Sequence, residues 1–207
     1  KYPLQNLPIS YGDFLEKIES VIKSGDIDIQ KEFHKIVEEI AVKNGFSKVS
    51  GILFDLGVST HQLSEEERGF SFNSDRLLDM RMDPDLTVKA ADLVNGLNEG
   101  ELYELFTKLG EEHSSWAIAR ALVRQRAIKP IKTGRELAEI VAGAQRSRSN
   151  RLNPGTRVFQ ALRIAVNDEL NNLKAALPQA IELLEKDGRL VVISFHSLED
   201  RIVKNFF

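Results

Sequence analysis

The chain has no cysteine among its 207 residues and only four histidines, His34, His61, His113 and His196. The first absence excludes a disulfide framework and any thiolate metal site, and points to a reducing compartment. The histidines show no metal-ligand spacing, so no metal is expected. No apolar run approaches the roughly 20 residues a membrane span needs. Neither a G-x-x-x-x-G-K-[ST] loop nor a G-x-G-x-x-G turn occurs, so both phosphate-cradling fingerprints are missing. There is also no G-x-S-x-G elbow, which leaves little ground for hydrolysis by Ser197, His196 and Asp55. The chain opens at Lys1 without an initiator Met or a signal pattern, and the expectation is an internal piece of a larger protein.

What remains is an ordinary globular composition, 42% hydrophobic and 29% charged, with net charge −3. That charge is unevenly spread. From Arg120 to Arg163 eleven basic residues stand against Glu136 and Glu139, a local +9 that leaves −12 elsewhere. So local an excess suggests a face for a polyanion, because each neutralised phosphate releases counterions; the competing reading is a solvated stripe.

Hydrophobic periodicity sets the organisation. Leu15, Ile18 and Ile22 follow Gly12-Asp13-Phe14 at helical spacing, and a second helix over 31–43 carries Phe33, Ile36, Val37 and Ile40 before stopping at Asn44-Gly45. Val49, Ile52, Leu53 and Phe54 then form the kind of run that fills the middle of a parallel sheet, ending on Asp55. Ligands of open α/β sheets bind outside the carboxyl ends of strands, so Asp55 is a site candidate; it could equally cap its own turn. From 87 to 144 the pattern is helical. Asn98 with Glu101 and Thr133 with Glu136 are capping boxes, Gly110 is a stop signal, and Trp116, Ile118, Ala119, Leu122 and Val123 share one face.

Beyond Asn153-Pro154, the residues Phe159, Leu162, Val166, Leu170, Leu173 and Leu177 mark one apolar stripe, with Thr156, Gln160, Arg163 and Asn167 on another ridge. A helix from Pro178 is expected to end at Asp187-Gly188. Leu190 to Ile193 reads as a second buried strand, terminating in Ser194-Phe195-His196-Ser197, where Ser197 and Asp200 suggest another capping box. The span 146–153 is the candidate linker.

Four long motifs carry a resemblance: GILFDLGVSTHQLSEEERGFSFNSDRLLDMRMD from Gly51, Leu109-Gly-Glu-Glu112, RLNPGTRVFQALRIAVNDEL from Arg151, and GRLVVISFHSLEDRIVK from Gly188. Together they resemble the MraW/RsmH family over about three quarters of the chain. Members are S-adenosylmethionine-dependent enzymes that methylate N4 of a cytosine in the decoding region of small-subunit (16S) ribosomal RNA. The resemblance implies an α/β fold, a Rossmann-like methyltransferase sheet from residues 1–62 and 153–207 interrupted by an all-helical substrate-recognition domain at 63–152. It implies S-adenosyl-L-methionine as cofactor, with Phe14, Asp55 and Gln62 as its contacts, and the small ribosomal subunit's RNA as partner. It places the protein in the bacterial cytoplasm, or the mitochondrial matrix for an organellar homologue, and leaves a homodimer open.

On this footing Asp55 or Ser59 orients the amine, Phe70 or Phe72 holds the splayed base unless both are core, and Arg120, Arg124, Arg157 and Arg163 meet phosphates. Arg68, Asp79, Arg81 and Asp83 are expected to fix the long loop. The family's G-G-G-G-H element and the acidic end of its second strand do not occur, so the N-terminal strands are expected to be missing. Thr60-His61 stands for the more usual Ser-Pro, and Gly155 for the Ala of R-x-N-P-A. Two other readings remain open, an RNA-binding module without catalysis and a different Rossmann nucleotide-using enzyme.

Overall fold

The computed structural model describes residues 37, 39, 41–58, 69–145 and 153–207, and the structural statements below concern these. It is a mixed α/β chain that divides into two compact units, residues 1–56 with 170–207, and residues 57–169. No helix among the described residues is long and apolar enough to cross a membrane.

The first unit is built on two parallel strands, β1 (Val49–Asp55) and β2 (Leu184–Ile193). Gly51 pairs with Arg189, and the register then runs residue for residue until Asp55 meets Ile193. Both carboxyl ends therefore lie at one edge. Period-two alternation turns Ile52, Phe54, Leu190 and Val192 inward, where they join Leu173, Ala176, Leu177 and Ala180 in one core. The sequence predicts strands buried on both faces; instead Leu53, Val191 and Ile193 are exposed.

Asp187-Gly188 is a turn, but it lies inside β2. Val49 pairs with Leu184 and Gly51 with Arg189, so the second strand bulges out between them. Asp187 takes φ 67°, and a Cβ on Gly188 would lie 2.9 Å from the Glu185 carbonyl oxygen, so only glycine fits there.

The second unit is helical: α1 (Ala90–Gly96), α2 (Glu99–Gly110), α3 (Ser115–Ile128), α4 (Gly134–Ala144) and α5 (Thr156–Asn167). Phe106, Leu102, Ile118, Leu122, Leu137, Val141 and Leu162 form its fully buried centre. The capping boxes of α2 and α4 are as the sequence predicts, Asn98 accepting from Glu101 N–H and Thr133 from Glu136 N–H. Gly110 serves differently. Glu111, at φ 48°, takes the left-handed position after α2, while a Cβ on Gly110 would lie 2.6 Å from the Arg157 carbonyl oxygen. Its glycine lets α2 and α5 approach closely.

The long apolar stripe is two helices serving two cores. Asp168 turns left-handed at φ 48° and separates α5 from α6 (Glu169–Leu183). Val158, Phe159, Leu162 and Val166 go to the helical core, Leu173 and Leu177 to the sheet core. Residues 156–167 thus pack with the helical unit, whereas the sequence places them with the sheet. Pro178 starts no helix; it lies within α6, whose buried Leu173, Ala176, Leu177, Ala180 and Leu183 offset the missing backbone bond. The last helix, α7 (Ser197–Phe206), is capped one residue earlier than predicted, by His196 with Glu199.

Candidate functional site

β1 delivers Asp55 to the carboxyl edge of the sheet. Its side chain is exposed, and no hydrogen bond or ion pair joins it to another described residue. The chain after it continues the ladder, Leu56 N–H donating to the Ile193 carbonyl at 3.2 Å, and the Asp55 carboxylate closes no turn among the described residues. Gly57 follows at φ 88°, a conformation that favours glycine.

The β2 end is more tightly held. Glu199 is buried and accepts from the N–H groups of Phe195 (2.8 Å) and His196 (3.3 Å), while His196 Nε2 lies 3.2 Å from Glu199 Oε1. Burial raises the Glu199 carboxyl pKa, but the His196 and backbone hydrogen bonds outweigh it, and the group titrates below its ordinary value. This lock turns Phe195 outward, 67% exposed two residues past the partner of Asp55. Sequence reasoning passed over Phe195; its signal was a lone aromatic in the turn after a buried strand.

The helical unit organises its polar residues around the segment 77–86. Arg81 grips Asp79 with two bonds (Nε to Oδ1 2.6 Å, Nη2 to Oδ2 2.9 Å) and donates to the Pro84 and Leu86 carbonyls. Asp83 is buried and accepts from Asp85 N–H at 2.8 Å. These three residues fix the loop as expected; Arg68 lies outside the described residues. From α5, buried Asn167 accepts from Met82 N–H at 2.7 Å and donates to the Met80 carbonyl at 2.8 Å, holding Met80 at φ 62°. The polar ridge of α5 is therefore a clamp inside its own unit. Asn167→Ala would leave these buried backbone groups unpaired, and a loss of about 2 kcal/mol is expected in urea unfolding, with Asn167→Asp recovering part by keeping the acceptor.

Asp79 makes that clamp pH-dependent. Burial pushes its carboxyl up, but the Arg81 hydrogen bonds and charge, with Lys89, bring it below its ordinary 3.8. A depressed carboxylate contributes stability that is present above its unfolded value and lost as pH falls through the folded one. The helical unit should weaken from about pH 5 downward, and Asp79→Asn should remove this part of the acid dependence in denaturation midpoints measured against pH.

Among the other predicted site residues, Phe70 is buried in the helical core and not free to hold a base, and Phe72, partly buried, packs against that core with its ring edge-on to Phe159 at 4.5 Å. Arg163 is bound by two bonds to Glu169 (2.8 and 2.9 Å), and Arg157 donates to the Glu111 carbonyl at 2.9 Å. Helix ends and loop closure account for both. Arg120 and Arg124 are exposed on α3. Phe14, Ser59 and Gln62 lie outside the described residues, as do residues 146–152 of the candidate linker.

The model of the MraW methylase family matches residues 14–207. Similar proteins include the ribosomal RNA small subunit methyltransferase H of Thermomicrobium roseum, 56% identical over 168 residues, 81% of this chain and 52% of that protein. The proteins of the same name from Heliobacterium mobile (48% over 179 residues, 86% and 56%) and Dehalococcoides mccartyi (51% over 171 residues, 83% and 48%) are comparable. The chain spans about half the length of the curated relatives it matches.

Proposed function

The chain belongs to the MraW methylase family, and from that membership we propose that it carries methyl transfer from S-adenosyl-L-methionine to N4 of a cytosine in the decoding region of small-subunit ribosomal RNA. The observation that carries this reading at the level of the site is the parallel β1–β2 pair, with Asp55, whose side chain has no partner among the described residues, opposite Ile193 at its carboxyl edge. We read the pair and its helices as part of a Rossmann-like sheet, and the helical unit as the inserted substrate-recognition domain. Action on ribosomal RNA sets the compartment: the cytoplasm, or the mitochondrial matrix for an organellar protein.

The residues present suit one edge of such a donor. Asp55 offers its polar groups a carboxylate with no partner among the described residues, and Phe14 and Gln62 are the further contacts the family pattern assigns. Bound S-adenosylmethionine would supply an electrophilic methyl carbon. The chain's own residues must then supply the nucleophile's geometry, because the cytosine amine is weakened by delocalisation of its lone pair into the ring. Asp55 or Ser59, accepting an N4 hydrogen, localises that lone pair on nitrogen; as the N–C bond forms and the methyl–sulfur bond of the donor breaks, the Asp55 carboxylate is the group of the two able to take up the proton.

The test is transfer of labelled methyl to small-subunit ribosomal RNA, followed by digestion to nucleosides. Label in N4-methylcytidine supports the reading; label confined to another nucleoside, or none with intact donor binding by calorimetry, counts against it.

A further inference from the structure

The core of the helical unit does not need Trp116. Ile118, Ala119 and Leu122 are buried from α3, whereas Trp116 is 47% exposed, although the sequence places it on the same face. It is the only tryptophan in the chain. Tyr103 from α2 meets it edge-on at 5.2 Å and 80°, so neither ring is used up by face-to-face stacking. The Arg120 guanidinium lies 5.7 Å from the Trp116 ring centre. A large, half-exposed aromatic pair flanked by a cation is costly to leave in water, and asks for a planar ligand.

The residues around the pair say which ligand. Trp116, Arg120, Arg124 and Ile128 recur every fourth residue, all exposed, along one ridge of α3 about 18 Å long. Most other described cations of the basic stretch are engaged: Arg126 with the Val94 carbonyl, Lys129 with Glu136, Arg135 with Asp75, and Arg157 and Arg163 as above. Arg124 has no partner among the described residues, and Arg120 has only a 3.4 Å, half-exposed pairing with Glu99, which is worth little. No acidic residue lies on the ridge. An exposed aromatic pair followed along the ridge by two available cations matches a strand with an unstacked base and phosphates running alongside; a duplex would hide its base faces.

We propose that Trp116, with Tyr103, Arg120 and Arg124, forms a stacking platform for an unpaired nucleotide of single-stranded RNA. The base lies against Trp116, and the adjoining phosphates meet Arg120 and Arg124. This rests on the ribosomal RNA reading and deepens it by naming where the helical unit holds its substrate.

Because Trp116 is the sole tryptophan, its emission reports the contact directly. Titrating the chain with oligocytidylate and with oligouridylate, corrected for absorbance with free tryptophan, should quench that emission to saturation. By anisotropy of a labelled oligonucleotide, Trp116→Ala should bind between about fivefold and about a hundredfold more weakly, and Trp116→Phe should recover most of it. Arg124→Ala should weaken binding and flatten its salt dependence by about one phosphate. Circular dichroism and thermal midpoint should be unchanged in all three variants. RNA binding without quenching, Trp116→Ala binding as tightly as the parent, or concentration-dependent self-association lost in Trp116→Ala would each overturn the platform, the last by giving the face to a second copy. The methyl-transfer assay separates the two readings: quenching by RNA with label confined to another nucleoside leaves the platform standing and removes the N4 transferase, and label in N4-methylcytidine without quenching does the reverse.

Discussion

Replacing Asp55 by alanine is expected to lower the rate of methyl transfer by a factor on the order of 10² to 10⁴, the range lost with a positioned proton acceptor. The side chain is exposed at the end of β1 and bonds to no other described residue, so its removal should leave the urea midpoint almost unmoved. That combination separates a chemical role from a structural one. Two functional roles can also be told apart. If Asp55 chiefly holds the donor, its KM should rise while kcat recovers at saturation; if it localises the amine's lone pair, kcat itself falls. Asp55→Asn keeps the shape and one acceptor oxygen but cannot take the proton, and should track Asp55→Ala in kcat. A rate near that of the parent in both variants would end the assignment.

What could be read from sequence divides by range. The capping boxes at Asn98 and Thr133 are set by residues three apart, and both form as predicted. Asp55 at a strand end follows from an apolar run that stops, and the strand is there. Signals whose meaning depends on a distant partner were misread. Gly110 looks like a cap, but Arg157, far along the chain, makes it necessary. Asn167 looks like an outward ridge until the segment 77–86 folds over it. Phe70 and Phe72 have the composition of a base clamp, yet the helical core claims Phe70, and Phe72 packs against it beside Phe159. Charge behaves in the same way: Arg163 counts fully towards the basic excess, but Glu169 six residues later consumes it. The excess located a surface, and pairing decided which residues of it remain for a ligand.

The largest expected loss of stability is at Phe106. It is fully buried at the centre of the helical core, on a helix that packs against both α3 and α5, and it is among the largest side chains with no exposure. Truncation to alanine removes its burial and leaves a cavity that three packed helices, two of them in close approach at Gly110, cannot readily collapse. A loss of about 3 to 5 kcal/mol follows, enough to lower the urea midpoint by more than about 1 M for a slope of 1 to 3 kcal/mol per M. Trp116 lies in the same unit, so its emission should follow this transition, while the sheet core of Phe54, Leu173, Ala176, Leu177 and Ala180 shares no residue with it. Phe106→Ala should therefore move the fluorescence transition most, and Phe54→Ala should move it less. An equal shift from both variants would mean that the two cores unfold as one cooperative unit.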